Sequence, residues 1–200
     1  HVKKMPRYLD NLKKYLHYKE KDPLVQLAIF FAQLLIIHPF MDGNGRVARA
    51  LIPFFLYKKN IVSTPLFYLS AYFKRYRLQY FEKLFSISSK NEWEEWIRFF
   101  LKGVIHEGEE SIQKAKAILS GYCRIDETLK GMGDPISVNK FIDALFENPI
   151  STTERWAEKA KMKPSFVLTA LEKLQKKDLI VPYKVQPLLA VKHLLLIAQK

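Results

Sequence analysis

Two hundred residues, 48% hydrophobic and 14% aromatic, can bury one large core or two small ones, which excludes a disordered chain. A single cysteine, Cys123, excludes a disulfide framework and suits a reducing, cytoplasmic setting. The net charge of +13 raises the question of a polyanionic partner, yet residues 1–125 hold 21 Lys and Arg against 11 Asp and Glu and the remainder 12 against 9, in clusters scattered enough to read as solvated faces.

The chain opens at a histidine, which places its natural start upstream, and no signal-peptide pattern follows. Asp22-Pro23 is a helix start: Asp caps, and Pro at the first position lacks only an N–H that would be unsatisfied anyway. The run LVQLAIFFAQLLII, Leu24 to Ile37, is apolar on almost every face, as in a helix buried inside a bundle. It contains Gln26 and Gln33 and is shorter than the roughly 20 residues of a membrane span. His38-Pro39 ends it, because a residue before proline is pushed toward extended backbone. A second helix is predicted from Arg46 to Lys59, with a kink at Pro53. Helical periodicity continues over Ala71–Phe85 and Glu92–Leu119, where Trp93 and Trp96 read as core.

Gly121 to Ser137 carries three glycines and a proline, the composition of a linker. Three short helices are predicted after it, Val138–Glu147, Thr153–Lys161 and Pro164–Lys177. Two strand-like runs follow, Leu179–Tyr183 and Leu188–Val191, with a turn near Gln186-Pro187. Three helices and a two-stranded hairpin form a winged-helix arrangement. Its recognition helix, PSFVLTALEKLQKK, is poor in the Arg and Asn that read base edges.

The chemistry concentrates in His38 to Arg49, HPFMDGNGRVAR. Gly43 and Gly45 allow positive φ, so the N–H groups of Gly43-Asn44-Gly45 can curve into an anion-holding nest. The helix beginning there points its positive end into the same spot. Arg46 and Arg49, three apart, add two planar cations suited to phosphate. Asp42 offers a hard carboxylate for Mg²⁺ shared with substrate phosphates. His38 can accept a proton near neutral pH. Taken singly, each has a plainer reading: DGNG a turn, His38 a core histidine, the arginines a surface pair, Asp42 a cap. Their occurrence in one unbroken run favours phosphoryl or nucleotidyl transfer. No CxxC, HExxH or EF-hand loop implies a structural metal, and His1, His17, His106 and His193 follow no pattern.

The run resembles the Fic motif, HPFx[D/E]GNGRxxR, at every defined position, and the likeness extends over residues 2–120 through MPRYLDNLKKYL, YLSAYF, Tyr80-Phe81 and EWEEWIRFFLKGV. The resemblance implies an all-α Fic helical bundle at 1–125, a linker at 126–136 and a small α+β winged-helix domain at 137–200. It implies a protein adenylyltransferase that moves AMP from ATP to a Ser, Thr or Tyr hydroxyl of a target protein, the chain itself included. His38 would be the base and Asp42 the Mg²⁺ ligand. Gly43, Asn44 and Gly45 would receive the phosphates, and Arg46 and Arg49 would neutralise them. Tyr80-Phe81 matches a pair lining the adenine side, with Phe81 where Tyr is frequent. Gly45 argues against kinase-like relatives, which carry lysine there; relatives using UTP, GTP or CDP-choline are not separated by the motif. The resemblance also places a substrate-pinning flap and an inhibitory helix, [S/T]xxxE[G/N], upstream of residue 1. Glu107-Gly108 and Glu147-Asn148 do not fit that pattern, because Gly103 and Asp143 stand four residues before them. A homodimer, and DNA bound through residues 137–200 with the Fic core subordinate, are the further partners considered.

Overall fold

The computed structural model describes residues 4–183, 189–192 and 194. The chain divides into two compact units, His1–Ser111 and Ile112–Lys200.

The first unit is helical among its described residues. Helix α1 (Met5–His17) is followed by α2 (Pro23–Ile37), which starts where Asp22 accepts from the N–H of Leu24 at 2.7 Å. Gln26, fully buried in α2, donates from Nε2 to the carbonyls of Tyr15 and Tyr18, both at 2.8 Å. A buried amide is tolerated because it serves the otherwise orphaned end of α1. Helix α3 spans Asn44–Lys58 with Pro53 buried inside it; proline has no N–H to donate to the carbonyl of Arg49, four residues back. The periodicity over 71–85 is interrupted at Tyr76, giving α4 (Ser70–Arg75) and α5 (Arg77–Lys90).

Helix α6 runs from Trp93 to Leu129. Trp96 on it is fully buried, its ring stacked at 6.1 Å on Phe31 of α2, and its Nε1 donates to the carbonyl of Ala28 at 2.9 Å. Phe73 and Phe100 pack onto the same Phe31 ring. Trp93 is half-buried against this core. Gly103 has its own reason: a Cβ there would meet the Tyr72 ring at 2.6 Å.

Gly121 lies inside α6 rather than in a connection. Ile125 and Leu129 beyond it are fully buried in the second unit's core, and that burial outweighs the roughly 1 kcal/mol a helical glycine costs. In that unit follow α7 (Pro135–Glu147), β1 (Ile150–Ser151), α8 (Thr153–Ala160), α9 (Pro164–Lys176), β2 (Ile180–Pro182) and β3 (Leu189–Val191). Asp134 and Thr152 cap α7 and α8. The strands form one antiparallel sheet in the order β1-β3-β2, so β1 adds a third strand to the predicted pair. Trp156, Phe141 and Leu174 are fully buried at its centre. The turn predicted near Gln186-Pro187, His1 and His193 lie outside the described residues.

Candidate active site

Two abrupt backbone reversals frame the segment between α2 and α3. His38 closes α2 in the left-handed region (φ 51°, ψ 59°), its N–H donating to the carbonyl of Leu34 at 3.2 Å. The following proline predicts extended backbone, so this is a correction. A non-glycine residue in that region ahead of Pro is uncommon and costs on the order of 1 kcal/mol, held by the packing around it. Gly43 is the second reversal (φ 83°), a conformation glycine takes freely, and its carbonyl accepts the first helical bond of α3 from Val47 at 2.9 Å.

Asn44 ties the two together. It is buried; its Nδ2 donates to the carbonyl of Phe40 at 2.6 Å and its Oδ1 accepts from the N–H of Phe40 at 3.0 Å. One side-chain amide thus clamps one peptide unit from both ends and fixes the course of residues 40–44.

The two arginines keep different company. Arg46 lies 3.5 Å from Asp42, both side chains largely exposed, a pairing worth little in water and easily exchanged for a stronger anion or cation. Arg49 is half-buried and folds back along α3, with Nη1 2.9 Å from where a Cβ on Gly45 would stand. Gly45 is therefore the space in which the Arg49 guanidinium sits.

Arg49 also lines a cleft of about 470 Å³ with Ser70, Phe73, Lys74, Arg77, Tyr80 and Phe81. Tyr80 is buried, and burial pushes its hydroxyl up to about 12 while the charge of Arg49 draws it back down. Phe81 is exposed, with its ring beneath the Arg77 guanidinium at 5.7 Å. The structure therefore brings Arg49, Tyr80 and Phe81 to one cleft, and the residues around the α3 N-terminus into one short segment. A cleft of similar size between α1, α2 and α5, lined by Tyr8, Ile36, Ile37 and Trp93 among others, contains no residue of the HPFMDGNGRVAR run.

Sequence reasoning missed Ser70, Lys74 and Arg77 as cleft residues. The Lys74, Arg75 and Arg77 cluster reads as a solvated face, but the helix break at Tyr76 brings Lys74 and Arg77 to the same cleft. Arg75 is held elsewhere: its Nη1 lies 2.8 Å from Nε2 of His106 on α6, whose ring packs 5.7 Å from Tyr72. His106 is thus no incidental surface residue.

Among the described residues no cluster of three or more His, Cys, Asp and Glu could hold a metal, and no helix is long and apolar enough to cross a membrane. What the arrangement offers is a helix N-terminus, two planar cations, one exposed carboxylate and an aromatic cleft carrying further positive charge. Those are parts suited to a phosphate ester with an aromatic base.

Residues 1–56 match the model of the Fic/DOC family. Among solved structures the chain is similar to a Fic family protein from Desulfovibrio desulfuricans G20, at 16% identity and a TM-score of 0.54. That match covers 95% of this chain and 55% of the other, so this chain spans little more than half of that protein's length. At such identity the likeness is one of fold: a mostly helical chain with a small antiparallel sheet, built as in a Fic family protein.

Proposed function

We propose that the chain is a protein adenylyltransferase, moving AMP from ATP to a hydroxyl side chain of a protein. The observation that carries this reading is the position of Arg49. Its guanidinium lies over Gly45 at the α3 N-terminus and also lines the cleft of Tyr80, Phe81, Lys74 and Arg77. A ligand reaching from one to the other would have phosphates at the helix end and a flat ring against Phe81, the shape of a nucleotide.

In this reading the N–H groups at Gly43, Asn44 and Gly45, with Arg46 and Arg49, bind the phosphates, and the target hydroxyl gives its proton to His38. The oxygen so formed attacks the α-phosphorus, the bond from that phosphorus to the bridging oxygen breaks, and pyrophosphate leaves. Asp42 fits as the protein's ligand to Mg²⁺, since its carboxylate is exposed and held only by Arg46; one carboxylate suffices where nucleotide phosphates complete the set. Bound there, the cation would offset charge on the leaving phosphate. The second unit, with three helices and a three-stranded sheet, is read as a winged-helix module.

The test uses ATP labelled at either end. Label on the α-phosphate appears on protein and label on the γ-phosphate does not. His38→Ala retains ATP binding and loses transfer by about 10²-fold or more. Transfer of the γ label with release of ADP refutes the reading.

A further inference from the structure

Between Gly103 and Gly121 no residue of α6 is buried, yet the stretch is not simply polar. Ile105, Ile112 and Leu119 are 61%, 55% and 64% exposed. They recur every seven residues, so they form one stripe along the helix, and Gly108 and Ala115 fall three residues after the two isoleucines on the same stripe. That is a heptad seam with large residues at one position and small ones at the other. The flanking charge is ordered too: Glu109 and Glu110 lie in the first half, Lys114 and Lys116 in the second.

We infer that this stripe is a self-association surface, on which the same stretch of a second copy of the chain packs antiparallel. The occupant follows from the pattern, which is complementary to its own reverse. With the two-fold axis between Ile112 and Ala115, Ile112 faces Ala115 of the second copy and Gly108 faces Leu119, each contact then repeated by symmetry. Large side chains meet small ones in every layer, which allows close approach without voids. The same register sets Glu109 beside Lys116 of the second copy, twice, at the seam edge where pairing orientation is chosen. Parallel pairing would stack Gly108 on Gly108 and Ala115 on Ala115, and would set Glu109 against Glu109. Size and charge are independent features, and both select the antiparallel pair. The inference concerns one helix face and does not rest on the proposed activity.

Sedimentation velocity on the full chain, across a micromolar dilution series, gives a reversible dimer. Ile112→Glu makes it monomeric with an unchanged circular dichroism spectrum, because the side chain is already exposed. Lys116→Glu weakens the dimer by about tenfold through two repelling pairs, and adding Glu109→Lys to the same chain restores it. With exposed Cys123 replaced by serine, a mixture of Glu109→Cys and Lys116→Cys chains forms the mixed disulfide faster than either forms its own. A wild-type chain that stays monomeric overturns the inference, as does a dimer indifferent to Ile112→Glu. Faster disulfide formation between identical chains overturns the antiparallel register.

Discussion

Replacing Asn44 by alanine separates the geometry of the loop from its chemistry. The substitution removes two hydrogen bonds to the Phe40 peptide, at 2.6 and 3.0 Å. Phe40 is itself 49% exposed, so water can reach part of what is left unpaired, and each bond counts at its net value of about 1 kcal/mol rather than at the full desolvation penalty. Alanine's better helix propensity returns a few tenths. The loss is then about 2 kcal/mol, which lowers Tm by about 4–8 °C in a chain of this size. Urea and thermal unfolding followed by circular dichroism measure it. Asn44→Asp is the decisive companion. It is nearly isosteric and suits a helix N-terminus electrostatically, but it turns an oxygen toward the Phe40 carbonyl where a donor stood. If the clamp explains the conservation of loop shape, Asp is at least as damaging as Ala. An Asp variant as stable as the parent, or an Ala variant within about 0.5 kcal/mol of it, would refute the clamp.

Two further outcomes follow from the cleft. Arg49→Ala weakens ATP by about 10- to 100-fold, the worth of a charge-assisted bond, and AMP much less; equal weakening of both in a titration would make Arg49 only a brace over Gly45. Tyr80 has its hydroxyl raised by burial, so the native state holds that proton more tightly than the unfolded chain. The contribution is fully present below about pH 10 and is lost as the pH rises toward about 12, at up to 1.4 kcal/mol per pH unit. Other tyrosines add to the decline, so the measurement is the difference between parent and Tyr80→Phe in alkaline urea melts, and parallel curves would contradict it.

The first of the large helices was legible because its signals are local: Asp22-Pro23 fixes the start of α2 and an all-round apolar run marks its burial. The glycine reversal at Gly43 follows equally from the tetrapeptide that holds it. Where sequence reasoning diverged, non-local packing decided. His38 adopts a left-handed conformation against the preference of the residue before proline. Tyr76 interrupts a helix with no glycine or proline to announce it. Gly121 stays helical because Ile125 and Leu129 beyond it are buried in the second core. Strand β1, two residues long, is too short to show any alternation. Lys74 and Arg77 joined the cleft only through the break at Tyr76, and the Arg75–His106 contact spans 31 positions, beyond any periodic pattern.

Pro53 gives α3 two mechanical parts. A helix carries axial tension from turn to turn through its ladder of N–H to carbonyl rungs, and the rung between residues 49 and 53 is missing. On one side lies a short head bearing Arg46 and Arg49; on the other, a tail anchored by Ile52, Phe55 and Leu56 in the hydrophobic core. A pull on the Arg49 guanidinium is therefore taken up as a small tilt of the head and is not passed along the ladder to the packed tail. The end of the helix that meets charge can adjust while the aromatic core around Phe31 and Trp96 stays still.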